Sequence, residues 1–237
     1  MSKIRIVNDI IEFNKNDFKN IKIYFDKNNF TEVYALIFGP KNTPYFGGNF
    51  FFKINFPDDY PKQPPNVKYL TTDGKIRFHP NLYGNGKVCL SIINTWPGPK
   101  WIESMTLTSI LLSIESLLTE RPLIHEPGYA HVKSDNLTSI SYNIYVHYYT
   151  YSFAITKIVS KKFKPLAEID LVEIFYKDIL KNLEENYVDL NNNLLSLRII
   201  YGNYPYQFKA YSTTVSQLNF DSLFTKFKDI TGEKVFK

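Results

Sequence analysis

The stretch that decides the fold runs from residue 78 to residue 101 and reads Phe78-His79-Pro80-Asn81-Leu82-Tyr83-Gly84-Asn85-Gly86-Lys87-Val88-Cys89-Leu90-Ser91-Ile92-Ile93-Asn94-Thr95-Trp96-Pro97-Gly98-Pro99-Lys100-Trp101. It contains the only cysteine and both tryptophans of the chain. Glycine and asparagine accept positive φ at little cost, so Gly84-Asn85-Gly86 predicts a turn just before the apolar piece Val88-Cys89-Leu90. A thiol at such a junction between loop and strand can be both held in place and reached.

Cys89 supports two interpretations. A single cysteine with His79 nearby in the sequence is a candidate nucleophile. Free cysteine is also among the most buried residue types, and between a valine and a leucine it fits a packing role as well. One cysteine excludes an internal disulfide and a cysteine-rich zinc site. The four histidines, at positions 79, 125, 131 and 147, show no metal-ligand spacing, so we expect no metal and no bound cofactor.

The order and spacing of several motifs resemble those of the ubiquitin-conjugating enzymes. The active-site motif of that family is matched by His79-Pro80-Asn81 with Cys89 eight residues after Asn81 and a tryptophan downstream. Its Tyr-Pro-x-x-Pro-Pro turn is matched by Tyr60-Pro61-Lys62-Gln63-Pro64-Pro65, and its corner between strands two and three by Gly39-Pro40, Thr43-Pro44-Tyr45 and Gly47-Gly48. Residues 86–92 and Glu126-Pro127-Gly128-Tyr129 are similar to the large members with a C-terminal extension, a subgroup that includes the enzyme charged by the alternative ubiquitin-activating enzyme.

The resemblance implies a thioester mechanism. Cys89 would accept ubiquitin or a ubiquitin-like protein from an activating enzyme, which consumes ATP upstream, and pass it to a lysine. Asn81 would steady the oxyanion or order the loop beside it, because an uncharged donor aimed at developing negative charge is what the reaction needs. His79 would be structural rather than a general base for the thiol. Pro80 would fix the loop, and Trp101 would pack beneath it.

Three departures from the family pattern stand around this site. Ser91 occupies a position where many relatives carry aspartate. The acidic gate beyond the second helix is not evident, and His125 or Glu126 is the nearest substitute. Residues 95–100 lengthen the loop before the second tryptophan. In the regions that many relatives use to contact RING ligases, Lys62 and Glu103 replace apolar or neutral residues, so we expect weak stimulation by RING ligases that need those anchors.

The apolar patterns predict an α+β protein with the UBC fold of that family. Consecutive strands followed by helices favour this class over a doubly wound sheet. We expect an N-terminal helix with an apolar stripe of Ile4, Val7, Ile10 and Ile11, and a four-stranded antiparallel sheet at 21–25, 32–38, 49–56 and 66–70. Helices should follow from residue 106, ending at Arg121-Pro122, and over 134–159.

Residues 161–237 predict a mainly helical C-terminal extension that packs on a catalytic core of residues 1–160. A linker at 161–165 should lead to a helix over 169–188, which we expect Asn191-Asn192-Asn193 to end. A hairpin around Tyr201-Gly202-Asn203 and a last short helix capped by Asp221 complete the expectation.

The net charge of +5 is spread along the chain, with its densest point at Lys161-Lys162-Phe163-Lys164. A solvated surface explains this charge better than nucleic-acid binding, which concentrates basic residues on one face. We expect neither a signal peptide nor a membrane span, since no apolar run approaches about 18 residues. A reducing compartment, cytoplasmic or nuclear, is the simplest expectation. The expected partners are ubiquitin or a ubiquitin-like protein, an activating enzyme that contacts residues 3–14, and a ubiquitin ligase.

Two other functions remain open from the sequence. The chain could be a non-catalytic variant that binds ubiquitin or a ligase, although retention of Cys89 argues against it. It could also be a Cys–His hydrolase that uses Cys89 with His79 or His125. A hydrolase would release ubiquitin, whereas a conjugating enzyme would hold it as a thioester.

Overall fold

The computed structural model describes residues 2–165, 167–202, 208–210, 213–215 and 218–235, with segments 208–210 and 213–215 and residue 233 described by backbone alone. The first half holds helix α1 (Ser2–Lys15) and strands β1 (Ile21–Asp26), β2 (Asn29–Phe38), β3 (Asn49–Asn55) and β4 (Asn66–Tyr69). They are followed by helices α2 (Leu107–Glu115), α3 (Leu137–Tyr149), α4 (Leu171–Ile174), α5 (Tyr176–Tyr201) and α6 (Phe220–Val235), with strands β5 (Phe208–Ala210) and β6 (Thr213–Val215) between α5 and α6.

Strands β1 to β4 form one antiparallel sheet in sequential order, which confirms the predicted α+β fold class. Neighbouring side chains of a strand point to opposite faces. The ring of Phe50 meets the rings of Tyr45 and Phe78, whereas the ring of Phe51 lies 6.1 Å from that of Phe175. The two faces of β3 are therefore buried by different parts of the chain, one of them by the extension (residues 161–237).

Helix α1 forms where the sequence predicts it, but its buried face differs from the predicted stripe. The inward positions are Ile6, Asp9, Ile10 and Phe13. Ile4 is 70% exposed and Ile11 is 46% exposed, so the apolar stripe predicted through them is wrong. The predicted stripe left Asp9 out of the buried face, so the predicted inward face of α1 is rotated about the helix axis relative to the observed one.

Asp9 is buried because its carboxylate is fully occupied. Its Oδ1 accepts a 2.7 Å hydrogen bond from Arg5, and its Oδ2 accepts one from the Tyr60 hydroxyl and another, 3.1 Å long, from the backbone N–H of Leu107. Arg5 also donates to the carbonyls of Glu103 and Met105. A buried carboxylate is tolerated when it is paired and hydrogen-bonded in this way. One side chain thus joins α1, the tyrosine-proline turn and the start of α2.

Helix α2 buries the predicted stripe of Leu107, Ile110, Leu111 and Ile114, and Thr106 caps it through a reciprocal pair of hydrogen bonds with Ser109. It ends at Glu115, earlier than the predicted stop at Arg121-Pro122. The predicted 134–159 helix is present as α3, capped by Asn136, and continues as a π-helical segment (Thr150–Lys157).

Helix α5 corrects the predicted break at Asn191-Asn192-Asn193, because it passes through these residues to Tyr201. Its buried positions Leu190, Leu194 and Leu197 continue the apolar stripe beyond the break, and helix propensity is only a weak prior against such packing. Asn193 finds a partner in the Tyr151 hydroxyl at 3.1 Å.

The hairpin predicted around residues 201–203 is also wrong. Tyr201 belongs to α5, Gly202 ends the helix, and Asn203 lies outside the described residues. The two short strands of this region pair at 208–210 and 213–215.

The predicted last helix is α6, but Asp221 does not cap it. The Asn219 side chain accepts the hydrogen bond from the backbone N–H of Ser222, while Asp221 pairs with Arg198 at 2.7 Å. The division of the chain at residue 160 stays a prediction. No helix in the described part of the chain combines the length and apolar character that crossing a membrane requires.

Candidate active site

Cys89 and Asn81 hold each other in the loop between β4 and α2. The backbone N–H of Cys89 donates to the carbonyl of Asn81 at 2.9 Å, and Asn81 Nδ2 donates to the carbonyl of Cys89 at 2.8 Å. Cys89 is 1% exposed and Asn81 is 7% exposed. The amide that the sequence assigns to the oxyanion thus orders the backbone of the candidate nucleophile in this structure. Both sequence-predicted residues are brought together.

His79 has both ring nitrogens engaged. Its Nδ1 accepts the backbone N–H of Asn81 at 2.9 Å, so Nε2 carries the proton and donates it toward Nδ1 of His125 at 2.8 Å. This tautomer is assigned from the hydrogen bonds. Burial, with His125 and Arg77 nearby, lowers the pKa of His79 well below its usual value and keeps the ring neutral. No ring nitrogen is left to take a proton from Cys89, which favours the structural role.

The candidate gate residues lie in and after a short turn (Pro122–His125). His125 reaches the site through His79, and burial lowers the pKa of its ring. Glu126 is half-buried, and its backbone closes two turns, with Leu123 and with Tyr129. A gating role for either side chain stays a prediction.

The backbone carbonyls just before Asn81 are tied by side chains that the sequence reasoning missed. Tyr45 Oη donates to the carbonyl of Phe78 at 2.7 Å, and Tyr142 Oη donates to that of Arg77 at 2.9 Å. The Arg77 guanidinium donates to the carbonyl of Pro80 at 2.6 Å. The sequence shows Tyr45 only as part of the corner motif Thr43-Pro44-Tyr45, and Tyr142 only as one of several tyrosines in α3.

The chain after Cys89 is fixed in the same manner. The Thr95 hydroxyl bonds to the carbonyl of Val88 at 2.8 Å and accepts the N–H of Leu90 at 2.9 Å. Ser91 starts a short 3₁₀ turn (Ser91–Ile93). The Trp101 indole donates to the carbonyl of Pro61 at 2.6 Å, which joins this loop to the tyrosine-proline turn. The lengthened loop is therefore anchored at both ends.

Among the described residues, no group of three or more metal-binding side chains lies in one place. The hydrogen bonds of the site join one thiol residue, one amide and a histidine pair whose pKa values are lowered by burial. Such an arrangement can present a held sulfur beside hydrogen-bond donors, which suits acyl transfer through a thioester.

Comparison with known proteins gives a consistent result. A family model described as "Ubiquitin-conjugating enzyme" matches residues 5–143. "Ubiquitin-conjugating enzyme E2 Z" of Homo sapiens is 41% identical over 160 residues, covering 67% of this chain and 45% of the relative. Its Xenopus tropicalis counterpart is also 41% identical, with 67% and 51% covered. The chain thus spans about half the length of these curated relatives.

Among solved structures, human "Ubiquitin-conjugating enzyme E2 G1" is 34% identical to the chain. The superposition covers 49% of this chain and 93% of that structure, with a TM-score of 0.43.

Proposed function

The chain belongs to the ubiquitin-conjugating enzyme family, and we propose that Cys89 carries ubiquitin or a ubiquitin-like protein as a thioester on its way to a lysine. The observation that carries the proposal is the reciprocal hydrogen bonding of Asn81 and Cys89 within the matched residues. Transfer from an activating enzyme that contacts residues 3–14 supplies the thioester, and ATP is consumed in that earlier step.

In the first step the Cys89 thiolate attacks the thioester carbonyl carbon on the activating enzyme. The tetrahedral oxyanion collapses, the new C–S bond to Cys89 remains, and the thiolate of the activating enzyme leaves. In the second step a lysine amine attacks the same carbonyl, loses its proton, and expels the Cys89 thiolate as the isopeptide bond forms. In the second step the Asn81 amide, which orders the Cys89 backbone in the uncharged protein, supplies a hydrogen-bond donor to the developing oxyanion. A reduced thiol is needed, so the proposal includes a reducing compartment, cytoplasmic or nuclear.

The buried thiol is the one observation that favours a second function. At 1% exposure, Cys89 would suit a non-catalytic variant that binds ubiquitin or a ligase without being charged. The hydrolase is less well supported, because both ring nitrogens of His79 are engaged elsewhere.

A charging assay separates these functions. The chain is incubated with activating enzyme, ATP and ubiquitin and analysed on a non-reducing gel. The proposal expects an adduct that thiols remove, a more stable oxyester with Cys89→Ser, and no adduct with Cys89→Ala. Absence of any adduct with the wild-type chain, tested with both known classes of ubiquitin-activating enzyme, would support the non-catalytic function instead.

A further inference from the structure

A second concave site lies beside the active-site loop and has no part in the chemistry above. It is a cavity of about 510 Å³, a volume typical of ligand sites, and we call it the lysine cavity. One wall is the backbone of residues 84–86, which leads directly to Cys89, and the other is formed by residues 162–164. The second wall belongs to the basic stretch Lys161-Lys162-Phe163-Lys164, the densest point of positive charge in the sequence.

The lysine cavity concentrates positive charge without neutralising it. Lys68, Lys157, Lys162 and Lys164 line it, against the single carboxylate of Asp73. Within the described residues, none of these four lysines forms an ion pair. Four lysines outside the cavity pair with carboxylates, and the neighbouring Lys161 lies 2.5 Å from Glu173. Like charges that line one cavity repel each other, and a bound anion would offset this repulsion.

The floor of the lysine cavity is apolar. Phe153 and Phe163 contribute to it and are both buried, and the Lys157 ammonium lies 4.8 Å from the centre of the Phe153 ring. A cationic rim over an apolar floor fits a short peptide that carries carboxylates together with an apolar side chain. Inorganic phosphate alone would leave the floor unused.

The lysine cavity lies close in the chain to Cys89, the residue that would carry the thioester. Gly86, in the cavity wall, lies three positions before Cys89, so their Cα atoms are at most about 11 Å apart. An extended peptide advances about 3.3 Å per residue. The spacing between an acidic residue and a lysine a few positions along an extended peptide therefore matches the distance from the cavity wall to Cys89.

We propose that the lysine cavity binds an acidic segment of the acceptor protein and so selects lysines that lie a few residues from clustered aspartate or glutamate. This rests on the proposed function for its purpose, because the acceptor is the protein that receives the carried ubiquitin. Binding itself needs no charged thioester, so the two can fail separately.

The first test measures binding to the uncharged full chain. A fluorescently labelled peptide with several glutamates and one leucine is titrated, beside a peptide with glutamine in place of each glutamate. The first double variant combines Lys162→Glu and Lys164→Glu in the cavity wall. The control double variant combines Lys177→Glu and Lys226→Glu, which change exposed lysines outside the cavity. Each Lys→Glu change lowers the charge by two, so both pairs take the chain from +5 to +1.

The cavity pair should weaken binding of the acidic peptide by about fivefold to tenfold, and the control pair by less than about twofold. The loss should shrink when salt is raised, because exposed charges are screened. Equal weakening by both pairs would overturn the proposal, since it would reflect net charge alone. The proposal would also be overturned if a single-stranded oligonucleotide bound more tightly than the acidic peptide and competed with it for the same site.

The second test uses enzyme already charged with ubiquitin, in a single turnover. A lysine peptide with glutamates a few residues away should be modified about threefold to tenfold faster than its glutamine counterpart. Lys162→Glu with Lys164→Glu should remove this preference while discharge to free lysine stays unchanged. Normal charging without a preference for the acidic peptide would refute the role of the lysine cavity and leave the proposed function intact. Failure of charging would refute the proposed function, and the binding experiment would then decide whether the cavity binds acidic peptides.

Discussion

Leu190→Ala tests whether the extension and the sheet unfold as one unit. Leu190 is fully buried on α5, and its two methyl carbons lie 2.6 and 2.9 Å from the position that a Cβ on Gly47 would take. Its carbonyl also accepts the Tyr151 hydroxyl at 3.0 Å. The side chain therefore fills space against the corner between β2 and β3, which a smaller residue would leave empty.

The expected cost follows from the cavity. Truncating a buried leucine to alanine costs about 3 kcal/mol of unfolding free energy. For a chain of this size each kcal/mol shifts the melting temperature by about 2–4 °C, so the midpoint should fall by about 6–12 °C. Val188→Ala is the matched control, because Val188 lies on the same helix and is 68% exposed, and it should shift the midpoint by less than about 2 °C.

The assay can follow each part of the chain separately. Trp96 and Trp101 are the only tryptophans, and both lie beside the active-site loop, so their fluorescence reports the core. Circular dichroism reports the helices of the whole chain. Both midpoints should fall together in Leu190→Ala. A fluorescence midpoint that stays at the wild-type value while the helical signal melts early would refute the reasoning, and the extension would then be an independent module.

Three further predictions concern the active-site loop, the half-buried His147 and the ligase surface. The Asn81→Ala variant should be charged nearly normally but should discharge to lysine about 10²–10³ times more slowly in a single-turnover assay. Asn85→Ala is the control in the same loop, and equal loss in both steps would mean that Asn81 has a purely structural role. Burial lowers the pKa of His147 to about 4, against about 6.5 unfolded, so unfolding free energy should fall as pH drops between these values. His147→Gln should flatten that slope by up to about 1.4 kcal/mol per pH unit in urea titrations, and an unchanged slope would contradict this. Lys62→Phe with Glu103→Pro should increase stimulation by a promiscuous RING domain in discharge to free lysine, whereas strong stimulation of the wild-type chain would show that those anchors are not needed.

Local patterns in the sequence predicted the parts of the fold that local packing determines. The stripe of α2 buries Leu107, Ile110, Leu111 and Ile114 as its spacing indicates. The turn at Gly84-Asn85-Gly86 forms because Gly86 adopts a φ of 90°. The motif places Asn81 eight residues before Cys89, whereas their reciprocal hydrogen bonds are seen only in the structure.

Several of the misses involve partners that are distant in the sequence. The inward face of α1 depends on Asp9, whose partners include Tyr60 and Leu107, and no helical period shows that a carboxylate will be satisfied so far away. The contact between His79 and His125 spans 46 residues. The three asparagines at 191–193 read as a helix end until Tyr151 supplies a partner for Asn193.

The occupancy of Asp9 has a consequence for how such a sequence can diverge. Arg5, Tyr60 and the start of α2 all donate to this one carboxylate, so a change at position 9 disturbs three segments in a single step. An amide there would point its own N–H groups at donors, and an apolar side chain would leave the Tyr60 hydroxyl and the Leu107 N–H without an acceptor. Positions 5, 9 and 60 should therefore be exchanged as a set among descendants of this chain, with Asp9 the slowest of the three to be replaced.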